Sequence, residues 1–88
     1  MNINTEDLKK KIIYRSTYRG TKEMDVLLSS FTKKYINIFN DKELKCLLDL
    51  LNHNDEILYK LNQGDDIYVN IKKNKVSNLF KEFIYEVK

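Results

Sequence analysis

The chain has no proline and no alanine, one cysteine, one histidine and two glycines among its 88 residues. Without proline, the strongest helix breaker is missing. Cys46 alone cannot close an internal disulfide or build a cysteine cluster for zinc. His53 alone cannot supply a pair of histidine ligands, and in the polar run Asn52-His53-Asn54 it is expected at the surface. Cys46 and His53 lie on opposite sides of an expected helix end, poor geometry for a nucleophile and its base, so the thiol is read as inert or packing. Gly20 and Gly64 stand in no glycine-rich phosphate loop. No apolar run approaches the ~20 residues of a membrane-spanning helix. The N-terminus shows no signal-peptide core, and Glu6 and Asp7 argue against a mitochondrial presequence, a segment type poor in acids. The expectation is a bacterial cytoplasmic protein with no direct membrane insertion.

What is present fits a globular domain. The apolar fraction is 42% and the aromatic fraction 11%, above the range of disordered chains. Residues 1–88 are read as one domain, because a chain this short buries only ~60–65% of its unfolded surface and has no room for a second core. The net charge is +3. Residues 1–40 carry eight bases against four acids, and residues 41–88 eight against nine. This mild basic bias on the first half points to an acidic or phosphate-bearing partner there, without the excess of a dedicated DNA binder.

The periodicity is helical almost throughout. Thr5 is a candidate N-cap, with Glu6 and Asp7 in the first turn, for a helix running to about Thr17. Gly20 relieves the turn. Thr21 caps a second helix on which Met24, Leu27, Leu28, Phe31, Tyr35 and Ile38 keep the 3.6-residue rhythm. Asp41 caps a third, with Leu44, Leu47, Leu48 and Leu51 on the core side and Cys46 and Leu50 on another face. A short fourth helix carries Ile57, Leu58 and Leu61 and ends near Gly64. Residues 65–72 alternate like a strand but would have no pairing partner, so they are read as a loop or frayed helix start. A last helix, about 74–87, carries Val76, Leu79, Phe80, Phe83 and Ile84. The fold class is therefore all-α, a bundle of four to five helices, with Leu28, Phe31, Leu44, Leu48, Leu51 and Leu58 in one core.

Only two of the sixteen basic residues are arginine, Arg15 and Arg19, and Gly20 follows the second. Arginine offers a rigid fork where lysine offers a hydrated point charge. Two readings of Arg19-Gly20-x-x-Glu23 stand. In one, each part is ordinary helix-end chemistry: a terminal cation, a C-cap glycine and a first-turn acid. In the other, the segment is an interaction surface, which the arginine usage favours. On the second reading Arg19 and Glu23 are exposed and not locked in an internal pair, and Arg19→Lys barely moves the melting temperature. Tyr14 and Tyr18 share a helix face and are read as a half-buried flank under the second helix rather than as stacking residues.

The stretch from Tyr14 to Phe31, YRSTYRGTKEMDVLLSSF, resembles the defining segment of the SdhE family of FAD assembly factors. Arg19, Gly20, Glu23, Asp25, Leu27, Leu28 and Phe31 match the family pattern, and Arg15 matches an upstream arginine. Leu50, Leu51, Asp55, Leu58 and Tyr59 resemble its second block, while Asn52, Ile57 and Leu61 depart from it. The resemblance covers about residues 8–61. It implies a small helical bundle and a non-enzymatic role: binding the flavoprotein subunit of succinate dehydrogenase or fumarate reductase and promoting its covalent flavinylation by positioning. The partner-binding residues it implies are Arg15, Arg19, Gly20, Glu23, Asp25, Asp55 and Tyr59. FAD would belong to the partner, with none bound stably by this chain, which would act as a monomer without nucleic acid. The alternative is a basic helical nucleic-acid module using Lys9, Lys10, Lys11, Arg15 and Arg19.

Overall fold

A computed structural model of the chain describes residues 4–17, 19–64 and 73–83. They form five helices in order: α1 (Thr5–Ser16), α2 (Lys22–Tyr35), α3 (Asp41–Leu51), α4 (Asp55–Asn62) and α5 (Lys75–Glu82). All regular structure among the described residues is α-helical, as expected.

Each helix starts at a short polar side chain that accepts a first-turn backbone N–H, the group a helix start leaves without a partner. These caps are Asn4, Thr21, Asn40, Asn54 and Asn74. Thr21 is the cap expected from the sequence. Thr5 and Asp41 are not caps: each lies one residue inside its helix, behind an asparagine. They bond to each other instead, the Thr5 hydroxyl donating to Asp41 Oδ1 at 2.8 Å and joining the starts of α1 and α3. Asn40 makes a reciprocal capping box with Glu43, and Asn74 makes one with Ser77. The chain leaves α4 through Gly64, whose φ of 84° lies in the left-handed region that favours glycine.

The core takes one apolar stripe from each helix: Leu8 and Ile12; Met24, Leu27, Leu28 and Phe31; Leu44, Leu47, Leu50 and Leu51; Leu58; Val76 and Phe80. Phe31 sits among rings, edge-on to Phe80 at 5.2 Å and to Phe83 at 5.3 Å between centroids. α1 packs on α2 and α3, and α5 packs on α3 and α4.

Helix α3 therefore has neighbours on two sides. This explains why Leu50 is buried, while Leu48, expected in the core, is only half-buried against its edge. Ile38 is 71% exposed, because α2 ends at Tyr35 and the following turn buries Ile36 and Phe39 instead. Tyr14 is exposed rather than half-buried. The last helix stops at Glu82, where Phe83 turns to an extended conformation, short of the expected 87; Tyr18, the segment 65–72 and residues 84–88 lie outside the described residues. No described helix is long and apolar enough to cross a membrane.

Candidate functional site

The connection between α1 and α2 contains Arg19 and Gly20, and its polar contacts cross to the α3–α4 corner. Arg19 Nε donates to Asp55 Oδ1 at 2.7 Å. Its Nη1 donates to the Arg15 carbonyl at 3.0 Å and the Leu51 carbonyl at 2.9 Å, and its Nη2 donates to the His53 carbonyl at 2.7 Å. Four of the guanidinium's N–H donors are thus used.

The acceptors explain why arginine is needed. Arg15 and Leu51 belong to the last turns of α1 and α3, whose carbonyls have no partner within their helices. A cation there also meets the negative ends of two helix dipoles. Asp55 is the first residue of α4, where a carboxylate complements the dipole. Its second oxygen, Oδ2, accepts the Gly20 N–H at 2.8 Å. The Arg19 N–H donates to Asp25 Oδ1 in the first turn of α2. Arg15 Nη1 donates to Asn52 Oδ1 at 2.7 Å. One turn of chain is thereby tied to every helix from α1 to α4.

The expectation of an exposed, unpaired Arg19 is overturned. Its side chain is 12% exposed and that of Asp55 is 26% exposed, and the two form an internal ion pair. The physical reason is the two helix C-termini that converge here and require donors. Gly20 is not in the left-handed region either. Space is tight there instead: a Cβ at this position would lie 3.0 Å from Asp55 Oδ2.

Glu23 is exposed, as expected, and makes no hydrogen bond or ion pair among the described residues. Tyr59 is 51% exposed. These two side chains line one groove with Thr21, Met24, Asp55 and Glu56, about 400 Å³ in volume, between the start of α2 and α4. A second groove of about 640 Å³, between α1 and α2, is lined by Lys10, Ile13, Tyr14, Thr17, Asp25, Val26 and Ser29. The structure thus separates the seven sequence-derived candidates. Arg19, Gly20, Asp25 and Asp55 form an internal brace, Arg15 is exposed but bonded to Asn52, and Glu23 and Tyr59 face outward. The carbonyls of Leu51 and His53 and the side chain of Asn52 were not anticipated. Backbone acceptors leave no mark in a sequence, and the polar corner after the leucine-rich helix was the one available signal.

The basic strip imagined for nucleic acid is broken up as well. Lys9 Nζ donates to Asn37 Oδ1 at 3.4 Å, Arg15 is bonded to Asn52 and Arg19 is internal, leaving Lys10 and Lys11 as its exposed lysines. Among the described residues no group of three or more His, Cys, Asp or Glu side chains could hold a metal ion.

Comparison with known proteins adds an independent line. The family described as flavinator of succinate dehydrogenase matches residues 10–84. The chain is similar to proteins named succinate dehydrogenase assembly factor 2, mitochondrial. The Scheffersomyces stipitis protein is 38% identical over 79 residues, covering 88% of this chain and 53% of the relative. The Saccharomyces cerevisiae protein is 44% identical over 57 residues, covering 61% and 35%. The Danio rerio protein is 31% identical over 77 residues, covering 85% and 49%. The chain spans about half the length or less of these relatives. No solved structure matches. The nucleic-acid alternative finds no support among these relatives. Their names also overturn the expectation of a bacterial cytoplasmic protein. Glu6 and Asp7 are first-turn acids of α1, so they belong to the folded domain and carry no information about targeting.

Proposed function

The chain belongs to the Sdh5 family, flavinators of succinate dehydrogenase, and we propose that it binds the flavoprotein subunit of a succinate dehydrogenase or fumarate reductase and promotes its covalent flavinylation. By analogy with its relatives, its place of action is the mitochondrion. The reaction chemistry belongs to the flavoprotein, whose own histidine forms the bond to the flavin, and FAD stays with that subunit. This chain contributes geometry: it holds its partner where the reacting groups are aligned, which removes much of the entropic part of the barrier.

The observation that carries this reading is the brace. The family-like Arg19-Gly20 turn is tied to the second family-like block through Asp55, and this rigid corner presents Glu23 and Tyr59 outward across one groove. Rigid support is what a positioning surface requires, because ordering a loop on binding would subtract from affinity.

The test mixes purified apo-flavoprotein, FAD and this chain, and follows in-gel flavin fluorescence over time. The wild-type chain is expected to accelerate labelling, and Cys46→Ser to leave the rate unchanged. No acceleration with a cognate flavoprotein would overturn the function. Loss of acceleration in a folded Cys46→Ser variant would replace positioning by direct chemistry.

A further inference from the structure

We propose that Asp55 is a positioning residue that sets the recognition groove, and that position 20 is glycine to admit this carboxylate rather than a partner's backbone. The inference rests on the proposed function in one respect: the groove is taken as the surface that meets the flavoprotein.

The argument begins with donors and acceptors. Asp55 receives two N–H groups from consecutive residues, Arg19 Nε on Oδ1 and the Gly20 amide on Oδ2. An ionised carboxylate is acceptor-only and satisfies both. An asparagine presents one oxygen and one NH2, so in either orientation one of the two donors would face another donor. Aspartate is therefore required by chemistry that lies wholly inside the chain.

Geometry supplies the second part. A Cβ at position 20 would lie 3.0 Å from Asp55 Oδ2, tighter than most real Cβ contacts. The carboxylate would have to give by a few tenths of an ångström, and because it is held by both Arg19 Nε and the Gly20 N–H it cannot do so without stretching those bonds. Backbone conformation gives no competing reason for glycine, since Gly20 does not have a positive φ.

The third part is location. Gly20 directly precedes Thr21, the cap of α2, and Asp55 opens α4. Thr21, Glu23 and Met24 form one wall of the groove, and Asp55, Glu56 and Tyr59 form the other. The two bonds to Asp55 run from the residues just before the first wall to the second. They fix the separation of Glu23 from Tyr59, so a change at Asp55 alters recognition without removing either outward-facing side chain.

The test is a double-mutant cycle of Gly20→Ala and Asp55→Ala. Its readout is the concentration of this chain that gives half-maximal flavinylation, alongside the plateau rate at saturation. Each single variant is expected to raise the half-maximal concentration about tenfold, equivalent to about 1.4 kcal/mol, with the plateau retained. In the Asp55→Ala background, Gly20→Ala is expected to add nothing, because the atom it would strike is gone. Equal effects of Gly20→Ala in both backgrounds mean that the glycine faces the partner, and that overturns the proposal. A fallen plateau with an unchanged half-maximal concentration overturns it too. Should Asp55→Ala fail to fold, Asp55→Ser takes its place, its hydroxyl being too short to meet a methyl at position 20. A second readout needs no flavoprotein: the Gly20 amide proton resonance of the free chain, expected to move upfield in Asp55→Ala as its carboxylate acceptor is lost. An unmoved resonance overturns the brace. If wild type binds no flavoprotein while that resonance moves as expected, the proposed function has failed and the brace has not.

Discussion

Replacing Arg19 by lysine preserves the charge and removes the fork, and the structure turns this into a stability prediction. Lysine carries a methylene where arginine carries Nε–H, so Asp55 Oδ1 loses the donor now at 2.7 Å. The lysine ammonium sits near the position of the guanidinium carbon, one bond short of Nη1 and Nη2. The contacts to the carbonyls of Arg15, Leu51 and His53, now 2.7–3.0 Å, are stretched or lost. A hydrogen bond to a charged group contributes about 1.5–3 kcal/mol net and a neutral one about 1 kcal/mol. Asp55 is 26% exposed, so water recovers part of its bond and the residual charge attraction survives. The expected loss is about 2 kcal/mol, which for a domain of this size lowers Tm by roughly 10 °C. Thermal unfolding followed by circular dichroism, with urea denaturation at fixed pH, measures it. A Tm within about 2 °C of wild type would refute the brace, since natural scatter among surface substitutions is about 0.5 kcal/mol. This reverses the sequence-based expectation that Arg19→Lys leaves stability untouched.

Other expectations follow from the same geometry. Leu47→Ala, at a fully buried position, should destabilise by about 2–5 kcal/mol, whereas Leu48→Ala at the half-buried edge should lose less than half as much in the same urea titration. Glu43 accepts from Lys75 at 2.8 Å and from the Asn40 N–H, and these bonds hold its carboxyl below the usual carboxylate range. A lowered folded-state pKa gives stability that is present above the ordinary carboxylate value and is lost as pH falls through the lowered one. Lys75→Ala should therefore flatten the acid limb of the stability–pH curve, and an unchanged limb would contradict the assignment. Glu23→Gln, which removes the charge of an outward-facing residue with no hydrogen bond or ion pair among the described residues, should weaken promotion of flavinylation while leaving Tm within about 1 °C, as expected for a surface substitution.

Much of the architecture was legible because it is local. The 3.6-residue spacing of Met24, Leu27, Leu28 and Phe31 requires only that one helical face be buried. Thr21 is a cap because a hydroxyl placed just before a helix reaches its first-turn N–H at 3.2 Å. Where two cap-competent residues are adjacent, as at Asn4-Thr5 and Asn40-Asp41, local chemistry is degenerate. The Thr5–Asp41 bond, made across 36 positions, settles which residue is used. The limits of local reasoning show equally at α3. Spacing places Leu48 on the core stripe with Leu44, Leu47 and Leu51 and leaves Leu50 on another face, because a single stripe assumes a single neighbour, yet Leu50 is the buried one. The packing of α1 and α5 on that helix decides between them.

The sequence by itself determined that this chain folds as helices, where they begin to within a residue or so, and which short segment has the family's arginine, glycine and glutamate. These are properties of residues near one another along the chain. Only the tertiary structure decided what the arginine and the glycine are for. Arg19 meets Asp55 and the carbonyls of Leu51 and His53 at separations of 32 to 36 residues, and no local pattern names a backbone carbonyl as an acceptor. Two helix C-termini converge on one point with unpaired carbonyls, and a planar cation is the side chain that satisfies them together. That convergence turns Arg19 inward and leaves Glu23 and Tyr59 facing outward.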